Sequence, residues 1–395
     1  MARQFSPTHF FRHVPKSSLA RYFQEKHQVL LEVDFASLRK SEVDSILDAY
    51  RALPDEKLSV IEAECQDIES MACQGGITAL TDEANFHLDS GFPEAIADID
   101  GFHGKAIWCF LEHPKYWTGA TLFLHSDQVA ESHWKKRNKM PKVTPGVESD
   151  VTQRLADGIS DFFHHHEGRG RNCKVEVYRR YDREYFFAYP EDYAQSGVEW
   201  VRNTLASRSR HPAFEIIFVY NKAEGSLDIY APRNTKYVSD LQEIFAETIL
   251  GVEQLDEFAA ENQVYMLDEL ANPYFVFKYA LDSGIESIIV RKLRLSLSNA
   301  KKQKITLETD TSKNPKAIYE LLESLNMPKF HVTQAEIKVN FAPVGNNRGV
   351  SRVFKISYPN WCALKHEGND LKIRQILASS GIEPIPFQQS PIDLI

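Results

Sequence analysis

Apolar positions recur at helical spacing through the first 170 residues and alternate with polar ones through much of the remainder. The segment that begins at Ser41 places Val43, Ile46, Leu47 and Tyr50 at i, i+3, i+4, i+7, and Pro54 stops it. Asp55 caps a second helix with Leu58, Ile61, Cys65, Ile68 and Cys73 near one face, and Gly75-Gly76 reads as its stop. Further helices are expected over 93–98, 105–113 and 120–135, separated by Gly101, Gly104, Pro114 and Gly119. The basic run 135–142 flows into Val143-Thr144-Pro145-Gly146 and reads as an exposed connection. Ser149 and Asp150 are N-cap candidates for a helix with Val151, Leu155, Ile159, Phe162 and Phe163 on its apolar face. It ends at His164-His165-His166-Glu167, with Gly168 in the C′ position.

From Cys173 the period becomes two. Strands at 173–180 and 185–189 form a hairpin closed by Pro190, and a helix is expected over 192–206, packing Val198, Trp200, Val201 and Leu205. The unit recurs with strands 214–220 and 227–230 and a helix 236–250 closed by Gly251. After a short strand at 274–279, a third unit pairs 288–297 with 304–308 before a helix 316–325. A fourth pairs 336–341 with 353–358 before a helix that ends near 378. The expected fold is α+β: an N-terminal helical domain (1–148) followed by four β-hairpin-helix units that form two antiparallel sheets backed by helices, split at 149–255 and 256–395. The irregular period argues against a propeller or a solenoid.

Composition narrows the setting. The 395 residues suffice for two or three domains, and a formal charge of −9 confines any polyanion-binding surface to a local face. Cys65, Cys73, Cys109, Cys173 and Cys362 are odd in number and form no CxxC pair, which points to reduced thiols in a bacterial cytoplasm. No apolar run approaches the ~20 residues of a membrane span, and no signal peptide is visible, so no membrane is expected.

The chemical candidates follow. His164, His165 and His166 are metal-ligand types, but consecutive helical residues point about 100° apart and cannot converge on one ion. They are weak candidates, and neither metal nor cofactor is expected. Arg169 and Arg171 in Gly168-Arg169-Gly170-Arg171 offer guanidiniums to an anion, although the glycines follow a helix, the reverse of a nucleotide-binding loop. Glu336 and Lys338 on one side of a strand, with Asp310 upstream, are the residue types of a metal-dependent nuclease. Any solvated strand face also yields E-x-K, and Asp310 sits in a turn where aspartate bonds locally. Cys362 and His366 are a weaker nucleophile pair.

Lys292, Arg294, Lys338 and Lys355 alternate with apolar residues, and Lys301, Lys302 and Lys304 add charge, so one sheet face is expected to be basic. Tyr178, Tyr185, Phe187, Tyr189 and Tyr230 exceed what one covered face holds, which suggests a contact surface with another protein or another domain. The expected function is a noncatalytic cytoplasmic binding or scaffold subunit of a multicomponent bacterial system. Its β-rich part would contact a protein partner or, through the basic face, nucleic acid. The alternative is a metal-dependent hydrolase, a nuclease built on Glu336 and Lys338.

Overall fold

A computed structural model describes residues 5–201, 204–256, 263–298, 303–343 and 349–383. Two compact units are present. The first comprises Met1–Val129, Tyr178–Tyr181 and Gln195–Arg210, and the second comprises Ala130–Val177, Asp182–Ala194 and His211–Ile395.

The first unit is mainly helical: α1 (Pro7–His13), α2 (Lys16–Ala20), α3 (Asp44–Arg51), α4 (Asp55–Met71), α5 (Gln74–Phe86), α6 (Phe92–Ala97), α7 (Gly101–Glu112) and α8 (Pro114–Gln128). Ile61, Cys65, Ile68 and Met71 of α4 are buried, as their spacing requires. Gly75-Gly76 does not stop a helix: α4 ends at Met71, and Cys73 caps α5, its Sγ accepting the Gly76 amide at 3.4 Å. A Cβ on Gly76 would lie 2.2 Å from the Met71 carbonyl oxygen, so the pair of glycines serves the tight entry into α5.

In the second unit, β1 (Trp134–Asn138) and α9 (Ser149–Glu167) precede β2 (Cys173–Arg180) and β3 (Arg183–Pro190). The chain then forms β4 (Gln195–Val201) and β5 (Thr204–Arg210), a two-stranded hairpin of the first unit. The helix expected over 192–206 is thus corrected. Val198 and Trp200 fit a period of two as well as Val198, Val201 and Leu205 fit a helix, and Trp200 pairs across the hairpin with Leu205.

The remaining elements are β6 (Ile216–Asn221), β7 (Ser226–Tyr230), α10 (Val238–Ile249), β8 (Ile285–Leu297), β9 (Lys304–Glu308), α11 (Ala317–Ser324), β10 (Phe330–Phe341), β11 (Ser351–Ser357), β12 (Trp361–Cys362) and α12 (Gly368–Ser379). One sheet has the order β1-β7-β6-β3-β2, the other β12-β11-β10-β8-β9. The architecture is α+β, a helical region followed by antiparallel sheets with helices.

The first sheet packs Phe186, Phe218 and Ile229 against Leu155 and Phe163 of α9 and Leu241 and Phe245 of α10. The second packs Leu293, Leu295, Ile337 and Ile356 against Ile318 of α11 and Ile373 and Leu377 of α12. Three hairpins are followed by helices, as their patterns predict.

Three local expectations change. The segment 135–142 is not an exposed connection, since it contributes the edge strand β1, with Lys136 and Arg137 buried. Residues 274–279 form no strand. The surplus aromatics Tyr185 and Phe187 on β3 and Tyr230 on β7 are buried within the chain, which removes them as a surface for another protein.

Candidate functional site

The second sheet keeps one face solvated, and a bulge shapes it. On β8, Lys292 opposes Glu336 and Val290 opposes Ile337, which leaves Arg291 as an extra residue. Arg291 and Lys292 therefore both border Glu336, and Arg291 Nη1 lies 3.6 Å from its carboxylate. Glu308, Lys292, Glu336 and Lys355 stand in register across β9, β8, β10 and β11. Lys292 Nζ is 2.7 Å from Glu308. One row along lie Thr306, Arg294, Gln334 and Ser357. Among the described residues, no ion pair within 4 Å holds Arg294, Lys304, Lys338 or Lys355.

Glu336 is thus the counter-charge of a basic surface. Asp310 is exposed and accepts the Ser312 amide at 2.9 Å, which also holds its carboxyl below the usual range. Lys338 opposes Ile289 and Val353. Among the described residues, three His, Cys, Asp or Glu side chains converge within 4.8 Å only at His9, Glu69 and His103. Lys301 and Lys302 lie outside the described residues.

The other sequence candidates have structural partners. Gly168 and Gly170 adopt positive φ of 69° and 81°. Arg169 is held by Glu167 (2.7 Å), Asp192 (2.9 Å) and Asn234 (2.8 Å), and lies over the Phe214 ring at 4.0 Å. Arg171 is exposed. His164, His165 and His166 occupy the last turn of α9, where His166 donates to the Phe162 carbonyl at 2.8 Å and stacks on that ring. Cys362 is buried, and burial pushes its thiol up to about 12, which removes it as a ready nucleophile.

His366 belongs to a buried ionic network that the sequence reading missed. Lys136 on β1 lies opposite Asp228 on β7, and its Nζ reaches Glu383 at 2.6 Å and Glu224 at 3.2 Å. Glu224 also meets Arg183 at 2.6 Å, and Asp228 accepts from His366 Nε2 at 3.2 Å. Burial alone would neutralise the acids. The Lys136 ammonium, together with Arg183 at Glu224 and with His366 at Asp228, outweighs it, holding Asp228 far below the carboxylate range and Glu224 down to about 2. Burial, reinforced by the nearby Arg374, pushes His366 down to about 4 against the pull of Asp228, so it is a neutral hydrogen-bond donor.

In the first unit, α1, α4 and α7 bring His9, Glu69 and His103 together. Their ligand atoms lie within 4.8 Å of one another, and His13, one turn beyond His9, adds a third ring 5.2 Å from that of His103. His13 and His103 also border a cleft of about 540 Å³, lined further by Val14, Lys16, Lys40 and Phe102. The i, i+4 spacing of His9 and His13 was the one local signal for this cluster. No protein family, no curated protein and no solved structure matches the chain, so its functional reading rests on these residues alone.

Proposed function

We propose that the chain is a noncatalytic, cytoplasmic binding subunit that uses the solvated face of its second sheet to hold the phosphate backbone of a nucleic acid. The observation that supports this reading is the set of Arg294, Lys304, Lys338 and Lys355 on one face of a chain with net charge −9. Glu308 and Glu336 fix neighbouring lysine and arginine side chains in place, which lowers the entropy lost on contact. The outward neighbours are Thr306, Gln334, Asn340 and Ser357, groups that donate hydrogen bonds to phosphate oxygens without reading base edges. Binding is therefore sequence-independent and weakens steeply with salt.

The test is an electrophoretic mobility shift with single- and double-stranded DNA and RNA at low salt. Micromolar binding is expected, with loss of most affinity in a combined Arg294→Glu, Lys338→Glu variant. No shift with any of the four at micromolar protein would overturn the reading.

A further inference from the structure

We infer that His9, Glu69 and His103 form a binding site for a divalent d-block cation of the zinc class, with an open coordination position toward the neighbouring cleft. His9 Nδ1 lies 3.1 Å from Glu69 Oε1, and His103 Nε2 lies 2.9 Å from Glu69 Oε2. Around a tetrahedral ion with metal–ligand bonds near 2.0–2.1 Å, donor atoms stand roughly 3.3 Å apart, so ligand atoms that all lie within 4.8 Å of one another need only small side-chain shifts to close on an ion. An ion entering here takes the lone pairs of His9 Nδ1 and His103 Nε2, each neutral ring shifting its one proton to its other nitrogen, so that metal–ligand bonds replace the hydrogen bonds to Glu69. Two imidazoles and one carboxylate suit a borderline cation.

A second carboxylate on the same helix shows what distinguishes Glu69. Glu64 is met by the Lys26 ammonium at 2.8 Å, the Tyr22 hydroxyl at 2.7 Å and His27 at 2.7 Å, a set with its own permanent cation. Glu69 is met by imidazoles alone among the described residues, and its charge is open to a metal. The side chains of His9, Glu69 and His103 are 17–19% exposed, shielded from bulk water yet reachable.

His13 supplies an outer partner of defined tautomer. Its Nδ1 faces the His9 carbonyl at 2.8 Å, and since a carbonyl only accepts, that nitrogen carries a proton, which in the neutral ring leaves the lone pair on Nε2. The ring lies 3.9 Å from that of His9. A water or an anionic ligand entering through the cleft takes the remaining position, with Lys16 and Lys40 among the lining residues.

The experiment uses the full chain, stripped with chelator and titrated with Zn²⁺ by calorimetry, and with Co²⁺ for its visible d–d bands. One ion per chain is expected, with affinity falling more than about tenfold in Glu69→Gln and in His103→Gln. A triple His164→Ala, His165→Ala, His166→Ala variant is expected to bind as the parent does. Glu69→Gln keeps the size of the side chain and one acceptor oxygen, and thermal melting without metal confirms that it folds. Substoichiometric binding by the parent, unchanged affinity in a folded Glu69→Gln, or loss of the ion in the triple variant would each overturn the assignment.

Discussion

The two five-stranded sheets carry the same cross-strand pair, lysine opposite a carboxylate, in opposite surroundings. Lys136 faces Asp228 between β1 and β7 in the interior, whereas Lys355 faces Glu336 between β11 and β10 on a solvated face. Covalent geometry and register are alike, so water is the variable. In the interior each charge needs several partners, and the network supplies them: Lys136 draws on Glu224 and Glu383, and Asp228 on His366. On the solvated face no ion pair within 4 Å holds Lys355 among the described residues, which leaves its ammonium to water.

The sharpest way to break this comparison is to remove the acid from each pair. Asp228→Ala removes one of the acids that compensate the buried Lys136 and strips His366 of its acceptor, and is expected to cost about 3–5 kcal/mol in urea unfolding. Glu336→Ala is expected to stay within about 1 kcal/mol. Equal losses would show that the second face is not solvated in the way its exposure indicates.

A pH series sharpens it next. His366 is neutral in the folded protein down to about pH 4, whereas the unfolded chain takes up its proton near 6.5. Stability is therefore complete above pH 6.5 and declines by roughly 3 kcal/mol as pH falls to about 4. Glu224 extends the loss from about 4.5 toward 2, since its folded carboxyl stays ionised in that window. His366→Gln is expected to flatten the upper part of this slope in chemical denaturation measured at several pH values. An unchanged slope would assign the acid sensitivity elsewhere.

The smallest effect belongs to the solvated face. Lys338→Ala and Lys355→Ala are each expected to change stability by less than about 0.5 kcal/mol. In the mobility shift, each removes about one counterion from the salt dependence.

The same contrast governs what the sequence disclosed. The second sheet was legible because one side meets water: Lys292 and Arg294, Lys338, and Lys355 alternate with buried Leu293, Ile337 and Phe354. Even its bulge left a trace, the two polar positions Arg291 and Lys292 between Val290 and Leu293. The first sheet is covered on both faces, so β6 shows no alternation. Lys136 and Arg137 read as surface residues because the acids that neutralise Lys136 lie 88 or more positions away. The hairpin of β4 and β5 was hidden by a short apolar set compatible with either period. His9, Glu69 and His103 come from three helices at separations of 60 and 34 residues, a distance over which no local pattern operates.

The ion pair between Lys136 and Glu383 also has a meaning in time. A chain emerges from the ribosome at roughly 5–20 residues per second, so Lys136 gains Glu224 and Asp228 first and waits on the order of tens of seconds for Glu383. Burying the ammonium before then is unfavourable, and its strand stands at the edge of the sheet, free to remain wet until the partner arrives. Glu383 is thus the last of the acids around Lys136 to be made, and it joins a strand already paired along β7.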